Sequence, residues 1–132
     1  MNLIACVDDN NGLLFNGRRQ SRDIAVINKI YEIVSGNRLL INNFSEKLFP
    51  IKPEVNDNFL EIATETDFCF VENVPLSAYI PKIEKIYLFR WNRNYPYDFT
   101  FDIALEKDFS LSYTEEMQGN SHDNITMEVW TK

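Results

Sequence analysis

The chain has 132 residues, 45% of them hydrophobic and 14% aromatic, and a formal net charge of −7. That composition suits a single domain, residues 1–132, with a real core, and it excludes a disordered chain. No apolar run approaches the ~18 residues of a membrane span, and no basic segment leads into a long apolar one, so a cytoplasmic protein without a leader is expected. The charge is uneven: residues 1–40 hold five bases against four acids, and residues 41–132 hold eight against sixteen. Nucleic-acid binding is therefore unfavoured, because phosphate contacts need a basic surface.

Residues 2–7, Asn-Leu-Ile-Ala-Cys-Val, form a continuous apolar run, as expected of a buried central strand. The segment DDNNGLLFNG that follows reads as a loop, with Asn and Gly supplying positive φ. Ser21 is placed to cap a helix over 22–35, in which Ile24, Ile27, Tyr31 and Val34 share a face and after which Gly36 is the stop. RLLIN is the second strand, and NFSEKLF gives one or two helical turns before Pro50 and Pro53. Asn56 or Asp57 caps a short helix holding Phe59, Leu60 and Ile62. DFCFVEN is another buried strand, a helical turn covers Ser77–Ile80, and KIYLFRW is a strand. FTFDI, FSLSYTEEM and NITMEVWTK alternate enough to close the sheet as antiparallel strands. The order predicts an α/β protein with a mixed, mostly parallel central sheet and an antiparallel C-terminal part. Cys6 and Cys69 lie in apolar segments and read as buried free thiols, with a disulfide left open if their strands are neighbours.

LIACVDDNNGLLFNG resembles the opening of dihydrofolate reductases, in which an apolar strand runs into a Gly-containing loop over the substrate. IPKIEKIYLFRW and DFTFDI…FSLSYTEEM…NSHDNITMEVWTK resemble that family's later strand and final hairpin pair. The resemblance implies a dihydrofolate-reductase-like sheet, and it also exposes departures. Arg18-Arg19-Gln20-Ser21-Arg22 replaces the family's Leu-Pro-Trp stretch, and Leu14 stands for the Gly that lets the cofactor approach. Asn42-Asn43-Phe44-Ser45 stands for Gly-Arg-x-Thr, and Glu72-Asn73 for the Gly-Gly at the pyrophosphate, where a carboxylate repels phosphate. Phe89 replaces the Thr that in the family supports the substrate carboxylate and is expected to fill pocket volume. Residues 49–58 look too short for the strands that cradle adenine, so peripheral strands are expected to be missing. Asp23 alone falls on the family's pocket acid, the group that pairs with the pterin. The plainer explanation, and the favoured one, is a first-turn acid that suits the helix dipole.

His122 is the only histidine. It sits between Ser121 and Asp123, but consecutive loop residues point apart and a triad is assembled in space, so the stretch reads as a turn. One His and two separated Cys do not supply a zinc site. No catalytic residue, metal ligand or cofactor is assigned. The ligand-binding candidates are Asp23, Arg18, Arg19 and Arg22, whose positive charges sit at the unfavourable end of a helix and suit an anion. Arg90, Trp91, Arg93, Tyr95 and Tyr97 form a second cluster, which fits a protein interface. The leading expectation is a non-catalytic, inhibitor-like interaction protein with an acidic surface for a basic partner. The alternative is a small-molecule site or divergent enzyme at the Asp23 pocket, and a working NADPH-dependent reductase comes last. A bared sheet edge would also favour a homodimer.

Overall fold

The computed structural model describes residues 1–132. In chain order the elements are β1 (Asn2–Val7), β2 (Gly12–Phe15), β3 (Arg18–Arg19), α1 (Ile24–Val34), β4 (Leu39–Ile41), β5 (Glu54–Val55), α2 (Phe59–Ile62), β6 (Phe68–Phe70), β7 (Lys85–Arg90), β8 (Phe99–Thr100), α3 (Leu105–Asp108), β9 (Ser110–Met117) and β10 (Ile125–Thr131). Two 3-10 segments, Asn43–Leu48 and Ser77–Lys82, fill the expected helical turns.

Seven strands form one sheet in the order β5-β4-β6-β1-β7-β10-β9. β5, β4, β6, β1 and β7 run parallel, while β10 is antiparallel to both β7 and β9. The apolar N-terminal run explains its own central place. Leu3, Ala5 and Val7 enter the core on one face and Ile4 enters it on the other, the period-2 alternation of a strand covered on both sides. On the Ile4 face, α1 presents Val26, Ile27, Ile30 and Val34 to Phe68, Phe70, Phe89 and Val129. On the opposite face, Phe59, Leu60, Leu76, Ile83, Phe101, Phe109 and Trp130 cover Leu3, Ala5, Leu40 and Leu88. This is the mixed α/β architecture expected from the sequence.

Several expectations need correction. The loop DDNNGLLFNG is in part a strand, because β2 pairs with β3 on one side and β8 on the other to make a separate three-stranded sheet. FTFDI does not join the main sheet: only Phe99 and Thr100 are strand, in the small sheet, while Phe101 and Ile103 turn into the core. Residues 49–58 do carry a strand, the two-residue edge β5.

Helix α1 begins at Ile24, and Asp23 rather than Ser21 caps it, accepting the Ala25 N–H at 2.9 Å. Ser21 Oγ is already engaged elsewhere. The stop is as expected, with Ser35 at the cap and Gly36 at φ 83°, the left-handed region that glycine tolerates. The short helix α2 is capped in position by Asn58, whose N–H donates to Asn56 Oδ1 at 2.8 Å. Asp57 instead accepts from the Asn43 backbone and side chain. Cys6 and Cys69 are both free. Their strands are neighbours, but the register sets Leu3 beside Cys69, and the two thiols belong to opposite faces of the sheet. No helix is long and apolar enough to cross a membrane.

Candidate functional site

The Gly/Asn-rich turn after β1 is tied down by one carboxylate. Asp8 is fully buried, and its Oδ1 accepts from the backbone of Asn10 and Gly12 at 2.8 and 2.7 Å. Its Oδ2 accepts from Gln20 Nε2 and the Tyr95 N–H. A Cβ on Gly12 would come within 2.6 Å of Gln20 Nε2 and 2.9 Å of Asp8 Oδ1, so glycine is required there. The acid at the strand end thus holds the loop shut on the protein itself.

The next layer joins β3 to the residues after β6. The Arg19 guanidinium grips Glu72 with two bonds, Nε to Oε2 and Nη2 to Oε1, each 2.8 Å. Ser45 Oγ donates to the same Glu72 Oε1 at 2.7 Å, and Asn42 Nδ2 donates to Asn73 Oδ1 at 2.8 Å. Glu72 and Ser45 are buried, and Arg19 also lies over the Phe44 ring. Burial, reinforced by Glu72 and partly offset by Arg19, pushes the nearby Cys6 thiol far up. Such a fork-to-carboxylate pair is a strong, directional joint. It commits Arg19 Nε and Nη2 to the protein's own carboxylate.

The third layer contains the expected acid and an unexpected partner. Asp23 is buried, and its carboxylate receives five hydrogen bonds. Oδ1 accepts from the N–H groups of Ala25 (2.9 Å) and Asn120 (2.8 Å). Oδ2 accepts from the Ser121 N–H (2.8 Å), Ser121 Oγ (3.2 Å) and His122 Nδ1 (2.9 Å). Burial raises the carboxyl, but the Asn120 N–H, His122, the Ser121 N–H and the Ala25 N–H outweigh it and hold the group well below the usual carboxylate range. An ionised carboxylate only accepts, so His122 carries a proton on Nδ1, and in the neutral ring Nε2 is then the acceptor. Ser21 Oγ lies 2.9 Å from that Nε2, and Tyr95 Oη lies 3.4 Å from it. Trp91 stacks on the imidazole with ring centroids 4.5 Å apart and an interplanar angle of 24°.

The Ser121-His122-Asp123 stretch is the turn expected from the sequence, and Asp123 is exposed and takes no part. Sequence reasoning missed that the buried imidazole reaches Asp23, 99 positions earlier, and through it Ser21. The available signal was a lone histidine in a Gly-Asn-Ser-His turn, in a chain whose pocket acid had already been picked out.

The remaining candidates separate. Arg18 is exposed in the small hairpin, whereas Arg22 is exposed, lines the cavity beside Asp23 and has no ion-pair partner. Arg90 is half-buried, paired with Glu128 at 2.8 Å and bonded to Asn11 Oδ1 at 2.9 Å. Trp91 is buried against His122 and Tyr95 half-buried beside it, so neither is an interface anchor; Arg93 and Tyr97 alone are exposed. Phe89 is wholly buried in the α1-side core and does not line the pocket, correcting the expectation that it fills it.

Two spaces adjoin Asp23. A cleft of about 310 Å3 is lined by Arg22, Asp23, Ile24, Ile27, Leu48, Asn120 and Ser121. Behind it lies a chamber of about 10 Å3, roughly the space one water needs, walled by Cys6, Ser21, Phe70, Glu72 and Trp91 and sharing Arg22, Asp23, Ile27 and Leu48 with the cleft. No group of three His, Cys, Asp or Glu side chains is placed to hold a metal ion.

No family model matches the chain, and no curated protein matches it. Among solved structures it is similar to dihydrofolate reductase from Enterococcus faecalis, determined in complex with NADP(H) and RAB-propyl. The TM-score is 0.71 over 99% of this chain and 95% of that one, at 11% sequence identity. The chain has a dihydrofolate-reductase-like fold, and at that identity the likeness is one of fold alone.

Proposed function

We propose that this is a small-molecule-binding protein on a dihydrofolate-reductase-like fold, not a reductase, and that its ligand is a small organic acid with an apolar body. The observation that carries the reading is the cleft beside Asp23. Ile24, Ile27 and Leu48 supply its apolar wall, the 120–121 turn supplies polar edges, and Arg22 stands at its margin without an ion-pair partner. Pockets of this size hold small ligands, with a few polar groups fixing orientation. A guanidinium is suited to a carboxylate.

The residues do not fit the dinucleotide that the fold's enzymes use. At the positions that would face its phosphates, Glu72 is a buried carboxylate already held by Arg19 and Ser45, and Asn42 is bonded to Asn73. A pterin would need the lone pairs of Asp23, and five internal donors occupy them.

The test is thermal stabilisation of purified protein against NADPH, folates and a series of short- and medium-chain carboxylates. At one hundred times the dissociation constant a ligand adds about 2.7 kcal/mol, a plain shift in melting temperature. Carboxylates should shift the wild type and not Arg22→Ala. A shift with NADPH or folate, or a carboxylate shift that Arg22→Ala leaves unchanged, would overturn the reading.

A second reading, an interaction protein, is favoured by β9. This eight-residue strand forms an edge of the main sheet and exposes Leu111 and Tyr113, the latter bonded to Glu115. Such an edge pairs readily with a second copy or with a basic partner's strand.

A further inference from the structure

Ser21 Oγ, the His122 imidazole and the Asp23 carboxylate form an unbroken relay, 2.9 Å from hydroxyl to Nε2 and 2.9 Å from Nδ1 to Oδ2. We propose that Ser21 is an acylatable nucleophile and that the site hydrolyses small carboxylic esters. The proposal rests on the reading of the cleft as a ligand site and deepens it, since the acid product of such a reaction is the ligand class assigned there.

The parts needed for nucleophilic catalysis are a hydroxyl, a base within hydrogen-bond reach and a group that orients the base. Here all three are present and their roles are distinct. Asp23 is the positioning residue: its five donors keep it ionised and immobile, and it selects the imidazole tautomer whose Nε2 faces Ser21. Trp91 fixes the ring plane by stacking and closes one side of it to water. Ser21 lies two residues before Asp23, whose carboxylate and carbonyl already take the Ala25, Val26 and Ile27 N–H groups at the start of α1. Arg22, which lines both the cleft and the chamber, is the positive group left to meet negative charge developing on an ester oxygen. The chamber at Ser21 has room for about one water, so the wall it shares with the cleft, Arg22, Asp23, Ile27 and Leu48, must part to admit the ester carbonyl, while the acyl chain lies along Ile24, Ile27 and Leu48.

In the first step the Ser21 oxygen bonds to the ester carbonyl carbon and its proton passes to His122 Nε2. The bond to the alcohol oxygen breaks, and the alcohol leaves with that proton. Water then attacks the acyl carbon, gives a proton to Nε2 and releases the carboxylic acid, and Ser21 Oγ recovers its proton. Water is the only co-reactant. A fluorophosphonate intercepts the same nucleophile, forming an oxygen–phosphorus bond and expelling fluoride.

The experiment is intact-mass and peptide mass spectrometry of the full chain after a fluorophosphonate, alongside hydrolysis of p-nitrophenyl butyrate. One phosphonyl group per chain, on the peptide carrying Ser21, is expected. Ser21→Ala should lose both label and hydrolysis. His122→Gln should lose hydrolysis by at least about 100-fold, the lower range for general-base catalysis. Asp23→Asn should lower the labelling rate without changing the reagent concentration that gives half the maximal rate. If His122→Gln does not fold, Ser21→Ala, which leaves the Asp23–His122 contact in place, decides alone. An unlabelled wild type, or label retained in Ser21→Ala, overturns the proposal. Carboxylate-induced stabilisation of Ser21→Ala then separates the two readings: if it persists, only the nucleophile fails, and if it is absent, the cleft reading fails as well.

Discussion

A Cβ on Gly119 would come within 2.6 Å of Asp23 Oδ2 and 2.7 Å of the His122 carbonyl oxygen. Glycine is what lets the 119–122 turn close over the carboxylate and aim four donors at it. Gly119→Ala should therefore cost about 1–3 kcal/mol, the usual range for overpacking a tight site, read as a lower midpoint in urea unfolding. A second single-residue effect concerns acid. The Arg38 guanidinium 2.6 Å away, helped by the Thr64 N–H and hydroxyl and opposed by burial, holds the Asp67 carboxyl down to about 2. Because the folded value lies below the usual carboxylate value of ~4, Asp67 stabilises the fold above pH ~4 and loses that contribution as pH falls towards about 2. Unfolding curves at pH 5 and 2.5 should differ less for Asp67→Asn than for the wild type. At this scale the sequence marked Asp23 through its place at a helix start. It did not mark His122, because the partner that gives the imidazole a role is 99 residues away.

Between elements, the Arg19–Glu72 pair joins the small sheet to the residues after β6, with Ser45 contributing from the Asn43–Leu48 segment. Glu72 is buried, so removing Arg19 leaves a carboxylate with little compensation. Arg19 is partly exposed, which softens the loss. Arg19→Ala should cost about 1–3 kcal/mol, the range for a buried group left unsatisfied. Arg18→Ala, on an exposed neighbour, should stay within about 0.5 kcal/mol. Paired urea titrations of the two variants check the contrast. Elements with a strong local period were legible: β1 from its apolar run and α1 from the spacing of Ile24, Ile27, Tyr31 and Val34, of which Ile27 and Val34 are buried while Val26 and Ile30 take the place of the exposed Ile24. β2 was not, because GLLF is short and its pairing partners, Arg18–Arg19 and Phe99–Thr100, are not marked as strands by their own residues. The cap of α1 was displaced from Ser21 to Asp23 for a similar reason. The serine hydroxyl is drawn to His122, a contact that no local pattern contains.

For the whole molecule, the sheet's two edges differ. β5 is two residues long, a common way of blunting an edge, whereas β9 runs for eight and is mostly exposed. If β9 pairs with a second copy, sedimentation should show a mass that falls from dimer to monomer on dilution, and a proline at Tyr113 should abolish the dimer. A monomer mass at every concentration would remove that reading. The acids that give the chain its net charge are used in many places. Glu115 pairs with Lys29, Glu128 with Arg90, Asp67 with Arg38 and Glu72 with Arg19, while Asp102 accepts the Leu76 and Ser77 N–H groups. Overall charge is therefore a poor guide to the site. The sequence by itself determined the mixed sheet, its parallel-then-antiparallel order and the helix beside it, because apolar periodicity and turn residues act over a few positions and the layers follow from burying those faces. Only the tertiary structure decided what surrounds Asp23. The Ser21 hydroxyl, the His122 ring and the Trp91 plate meet there because packing across the sheet brings the two ends of the chain together, and contacts that distant leave no trace in the local sequence.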